Sequence, residues 1–249
     1  MDVNKIVFLG DAHVKGVGAE WPFLFRELVG VPTQFRENMW YNYIRTTNDP
    51  PLTVNTSFSS YMSKQKVRPK SVDTYRSKSS YVSLIGTNYN KEIVNLGFEA
   101  YNLYQISAKL LVSRPTFENN LVILAVPNLK NDIIYHNPIN TQKFENVTIP
   151  YVASIINLIK EFVEARGGKF VYFHQDTYPS ELYDIKHNPF ISSLIDSRLF
   201  DIGLFESCYH KINSMKIDGI HYDSKAHKII SRKFIEEFEN SLIFSILMS

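Results

Sequence analysis

The stretch "IVFLGDAHVKGVGAEWPFLFREL", Ile6 to Leu28, decides how the rest of the chain is read. A short apolar run, Ile6-Val7-Phe8-Leu9, is stopped by Gly10, as a buried strand is. A tight loop follows. Beyond it Trp21-Pro22 suits a first helical turn, and Leu24, Phe25, Leu28 and Val29 share one helical face before Gly30 ends it. The unit is strand, loop, helix.

The same unit recurs. Glu92 to Leu96 reads as a strand closed by Gly97, with a helix expected from about Ala100 to Ser113. Leu121 to Val126 is a continuous apolar strand followed by Pro127-Asn128. Tyr151 to Arg166 is amphipathic, with Ile155, Ile156, Ile159, Phe162 and Val163 on one side and Gly167-Gly168 as its cap. Lys169 to Phe173 is a further strand, and Ser224 to about Phe244 a terminal helix. Strands that are apolar throughout and alternate with helices predict an α/β fold, a parallel sheet covered on both faces. Ligands bind such sheets beyond the carboxyl ends of the strands. Three stretches are expected there: Asp11-Ala12-His13, Gly97 to Ala100, and Asn128.

The chain has 249 residues, 44% hydrophobic and 21% charged, enough for a single well-filled domain over 1–249. A formal net charge of +2 does not point to nucleic acid or to a membrane surface. Cys208 is the only cysteine, so no intrachain disulfide forms, which fits a reducing compartment and a buried small hydrophobe. The opening apolar run is too short for a secretory signal, and Leu121 to Val126 is too short to span a bilayer. A cytoplasmic protein, or one carried in a particle, is the expectation.

Residues 31 to about 90 break the rhythm. They hold few aliphatics and many Tyr, Ser, Thr and Asn, and Tyr61 to Ser80 carries six basic residues against one acid. Two readings stay open for this insertion: a solvated excursion, or a lid or protein-binding segment. The basic run Lys64 to Lys78 is read as a solvated face, with acidic sugars or phosphates as the other candidate contact.

The stretch that points to chemistry lies near the C terminus, "IDGIHYDSKAHKII", Ile217 to Ile230. Asp218 and His221 stand three apart before a helix. A carboxylate so placed can orient one imidazole nitrogen while the other faces a substrate, as a general base requires.

In this order the pieces resemble the SGNH hydrolases, also called the GDSL family. "FLGDAHVKGVG" is similar to that family's opening Gly-Asp-Ser block, with Ala12 where the nucleophilic serine stands. "DGIHYDSKAHKIIS" is similar to its Asp-Gly-x-His stretch, including the second histidine, His227. The middle blocks depart further. In "VNLGFEAYN" Ala100 replaces the oxyanion glycine. In "LVILAVPNLKND" Asn128 matches the oxyanion asparagine by its distance from the strand, whereas Asn131-Asp132 comes three residues late. The resemblance covers the core elements but not 31–90. It implies a flavodoxin-like three-layer sandwich and ester hydrolysis, carbohydrate O-deacetylation included, on a small ester or acylated carbohydrate. No metal and no organic cofactor is implied. His221 becomes the base, Asp218 its orienter, and the Ala12 N–H, the Ala100 N–H and Asn128 the oxyanion donors. Asp11, His13, Gly97 and His174 are expected around the pocket, His13 shaping the loop and His174 ending a strand.

Alanine at position 12 keeps the N–H and lacks the attacking hydroxyl, so the resemblance implies an esterase scaffold inactive as written. Two origins fit: a nucleophile removed by design, or one absent from the gene. A protein of another class, a catalytically silent binding or structural component of a larger (viral) particle, fits the same scaffold. A third reading takes Asp11-x-His13 as similar to the opening of metallophosphoesterases. It lacks the further motifs those sites need, with only "DGIH" and "YFHQD" (His174, Asp176) as substitutes.

Overall fold

The computed structural model describes residues 3–19, 76–97, 102–113, 115–127, 145–176, 194, 196–216 and 221–241. Four strands, β1 (Lys5–Gly10), β2 (Glu92–Gly97), β3 (Asn120–Val126) and β4 (Lys169–His174), form one parallel sheet in the order β2-β1-β3-β4. Parallel neighbours need crossovers, and the helices supply them. In chain order these are α1 (Ala12–Lys15), α2 (Tyr81–Tyr89), α3 (Leu103–Ser113), α4 (Glu145–Glu164), α5 (Leu204–Ser207), α6 (Tyr209–Ile212) and α7 (Ser224–Glu239).

β1, β3 and β4 are buried at all but their first positions because both faces are covered, whereas the edge strand β2 is only partly buried, with Glu92 and Asn95 exposed. Side chains alternate across a strand. Ile6 and Phe8 of β1 therefore join Tyr81, Val82 and Ile85 of α2, Phe205 of α5, and Ile230 and Phe234 of α7 in one core. Val7 and Leu9 face the other way, onto Leu103, Ile106 and Leu110 of α3 and Val152, Ile156, Ile159 and Val163 of α4. The result is the three-layer α/β architecture that the alternation predicts. Phe234 lies at the centre of the first core, its ring 5.8 Å from Phe8, 5.4 Å from Phe173 and 5.3 Å from Phe200.

Several boundaries differ from the sequence reading. α3 starts at Leu103, where Asn102 caps it by accepting the Gln105 N–H at 2.9 Å. α4 starts at Glu145, six residues before the expected Tyr151, and ends at Glu164 in a turn where the Gly168 N–H reaches the Val163 carbonyl at 3.1 Å. α7 is capped by Asp223, whose carboxylate accepts from the Lys225 and Ala226 N–H groups. The helix expected from Trp21 falls outside the described residues. α7 ends at Glu239, short of the expected Phe244, because the chain turns there, the Asn240 N–H reaching the Glu236 carbonyl at 3.3 Å and the Ser241 N–H the Phe238 carbonyl at 3.1 Å. The stretch read as an insertion over 31–90 closes with α2, a core helix that Ser80 caps. Its buried side is Tyr81, Val82, Ile85 and Gly86, beside a basic, hydroxyl-rich run, so its periodicity is faint. A rudimentary fifth strand borders β4: the Tyr172 N–H reaches the Ser197 carbonyl at 2.9 Å, and the Leu199 N–H reaches the Tyr172 carbonyl at 2.8 Å. Among the described residues no helix is long and apolar enough to cross a membrane.

In this order the chain steps one way from β1 to β2 and then back past β1 to β3, so the crevice beyond β1 and β3 is the switch point where ligands bind such sheets.

Candidate active site

β1 delivers Asp11, Ala12 and His13 to the crevice. Asp11 is 8% exposed and caps α1, its Oδ1 accepting the His13 N–H at 3.0 Å. The same oxygen accepts from Nε2 of Gln175 at 3.1 Å, so the loop after β1 is tied to the residue after β4. Gln175 is held in turn by its backbone, its N–H on the Val126 carbonyl and its carbonyl on the Phe205 N–H. Sequence reasoning missed Gln175; its only signal is a polar residue directly after an apolar strand.

α1 then turns back. The Val17 N–H donates to the Ala12 carbonyl at 3.0 Å, and the Ala19 N–H to the Gly16 carbonyl at 3.0 Å. Gly18 has φ +97, and a Cβ there would lie 2.2 Å from the Tyr222 carbonyl oxygen and 3.3 Å from the His221 Cβ. The turn that follows Ala12 therefore rests directly on the Tyr222 backbone and the His221 Cβ. Only glycine permits both this conformation and this approach. Gly18→Ala is expected to cost about 2 kcal/mol, read as a lower urea midpoint; an unchanged midpoint would contradict the packing.

Ring packing brings the two segments together as well. The His13 imidazole lies 5.8 Å from that of His221, 5.6 Å from the Tyr222 ring and 5.3 Å from Phe205. Burial lowers the His13 pKa, with the Asp11 charge opposing and His221 reinforcing. Ala12 and His221 are both partly exposed, as residues facing a ligand must be. Asp218 lies in 217–220, outside the described residues; the ends of that segment are joined by an antiparallel bridge between Lys216 and Tyr222. Ala100 and Asn128 also lie outside the described residues.

Gly97 stands in register with Gly10. A Cβ on Gly97 would come within 2.2 Å of the Lys15 nitrogen, so its glycine allows α1 to cross the end of β2. Asn95, not foreseen from sequence, fastens that crossing: its Nδ2 donates to the Val14 carbonyl at 2.7 Å and its Oδ1 accepts the Gly97 N–H at 2.8 Å. Its signal is an isolated amide inside "EIVNLG".

His174 ends β4 as expected and is buried, its ring edge-on to Tyr172 at 5.9 Å. Burial, with Arg198 adding, pushes its pKa down to about 3; burial does the same to His227. A folded-state pKa below the unfolded value near 6.5 favours folding fully above about pH 6.5. That contribution is lost as pH falls toward 3, at about 1.4 kcal/mol per pH unit for each histidine. His174→Gln is expected to flatten the fall of the urea midpoint between about pH 6 and pH 4; the parent's slope in the variant would contradict a neutral buried imidazole.

Among the described residues no group of three or more His, Cys, Asp and Glu side chains is placed to hold a metal ion. Oδ1 of Asp11 is engaged in capping, and the His13 ring packs among Phe205, Tyr222 and His221.

No protein-family model matches the chain. No curated protein matches it. Among solved structures it is similar to a member of the lipolytic protein G-D-S-L family from Veillonella parvula DSM 2008, with a TM-score of 0.46 and 11% identity over 94% of this chain and 98% of that one. It is also similar to LAE5, an alpha/beta hydrolase enzyme from the metagenome of Lake Arreo, Spain, with a TM-score of 0.45 and 10% identity over 95% of each chain.

Proposed function

We propose that this chain carries the scaffold of an SGNH-type serine ester hydrolase, silent as written because alanine occupies the nucleophile position. The observation that carries the reading is the packing of the turn after Ala12 on His221 and Tyr222, with the His13 ring 5.8 Å from that of His221. A loop at the carboxyl end of the first strand and a histidine just before the last helix meet at the switch point of a parallel sheet.

With serine at position 12, the hydroxyl oxygen attacks an ester carbonyl while His221 takes its proton, Asp218 holding the imidazole. The oxyanion that forms is met by the position-12 N–H, the Ala100 N–H and the Asn128 amide. His221 then returns the proton to the leaving alkoxide, and water releases the acyl group by the same steps in reverse roles. The substrate class is a small ester or an acylated carbohydrate, whose O-deacetylation is the same reaction.

Alanine removes the first step and keeps the rest, so the chain binds an ester without cleaving it. The test is Ala12→Ser, assayed with p-nitrophenyl acetate beside the unmodified chain. A large gain supports the hydrolase scaffold. No gain in a folded variant overturns it in favour of a binding or structural protein.

A further inference from the structure

His227 is fully buried one turn into α7, and the hydrolytic scheme above gives it no part. Its Nδ1 accepts the Tyr81 N–H at 3.2 Å, a bond between residues 146 apart in sequence. Its ring stacks on the Tyr81 ring, 5.8 Å away and 10° from parallel. A nitrogen that accepts carries no proton, so the proton of the neutral ring sits on Nε2. Nε2 is buried with no hydrogen-bond partner among the described residues. The turn that returns from position 12 meets the same corner, since a Cβ on Gly16 would lie 2.6 Å from the Cβ of Ser80, the cap of α2. Val17 is itself buried, and its N–H is bonded to the Ala12 carbonyl.

One imidazole thus adjoins three elements: the first residue of α2, the turn that returns from position 12, and the helix whose leading segment holds His221. We propose that His227 is a positioning residue, resting on the hydrolase reading above: it braces the position-12 turn against α2 and so fixes its placement relative to His221. Only a neutral ring with its proton on Nε2 can do this. The charged form would lose the acceptor for Tyr81 N–H and stand beside His13 and His221. Burial, reinforced by those two imidazoles and opposed by the Val17 backbone, keeps the neutral form. The contribution is geometric, and a reacting pair misplaced by about 1 Å loses on the order of a hundredfold in rate.

Two measurements test it. In long-range 1H–15N spectra of the chain as it stands, His227 is expected as the neutral Nε2–H form at both pH 8 and pH 5. An ordinary titration near 6.5, or the Nδ1–H form, overturns the proposal without recourse to activity. In the Ala12→Ser background, His227→Phe keeps a stacked ring and loses both nitrogens. Its kcat is expected to fall about ten- to a hundredfold with KM little changed, and the Val17 and Gly18 amides to exchange faster. His227→Asn, which keeps a polar group near Nδ1, is expected to recover part of kcat. A folded Phe variant with the parent's kcat and exchange rates overturns the bracing role. If Ala12→Ser is itself inert, that result counts against the hydrolase reading, while the tautomer and the exchange rates still decide whether His227 holds the turn.

Discussion

Ala12→Ser is expected to raise the hydrolysis of p-nitrophenyl acetate by several orders of magnitude. Removing the serine of a Ser-His-Asp triad costs on the order of a million-fold in kcat, and restoring it sets the same upper limit on the gain. The departure at Ala100 bears on how much is realised. Loss of one oxyanion donor costs about a hundred- to a thousandfold, so a variant in which that amide is badly aimed still gains roughly a thousandfold or more. The gain also depends on His221, so Ala12→Ser/His221→Ala is expected to return to near the activity of the unmodified chain. A double variant as active as Ala12→Ser alone would remove His221 from the role of base.

Phe234→Ala is expected to produce the largest loss of stability, about 3–5 kcal/mol. The ring is fully buried and touches Phe8 on β1, Phe173 on β4, Phe200 beyond the sheet edge and Phe238 one turn along α7. Those contacts come from every layer on that side of the sheet, so the cavity cannot close by moving one element. A domain of this size has roughly 5–15 kcal/mol in total, and the loss is a large share of it. Urea denaturation followed by far-UV circular dichroism measures it; a loss below about 1 kcal/mol, the size of a mere methyl trimming, would contradict the packing of α7 on the sheet.

Most of the sheet was legible because β1, β3 and β4 are buried on both faces. Ile6 to Leu9, Leu121 to Val126 and Lys169 to Phe173 are apolar at nearly every position, a pattern that few other settings produce. α2 was not, since its buried face offers only Tyr81, Val82 and Ile85 as apolar side chains beside Gly86, and the run before it is basic and rich in hydroxyls. The strand-like bridge at Arg198 is a single residue pair and leaves no periodicity. At the site, Asp11, His13 and His221 stood out as motif residues, and the parallel order explains why the first two reach the carboxyl edge of the sheet. Asn95, Gln175 and His227 act through partners 81, 164 and 146 residues away. No local pattern encodes such partners; they follow from the strand register and the docking of α7.

In the function proposed, position 12 and His221 work as one reactive centre. Fluorophosphonate labelling of Ala12→Ser, mapped by peptide mass spectrometry, tests it most directly, because the serine oxygen must be activated to displace fluoride from phosphorus. A covalent adduct is expected on residue 12 of Ala12→Ser and none on Ala12→Ser/His221→Ala. A folded Ala12→Ser protein that stays unlabelled, or that is labelled equally well without His221, would contradict it.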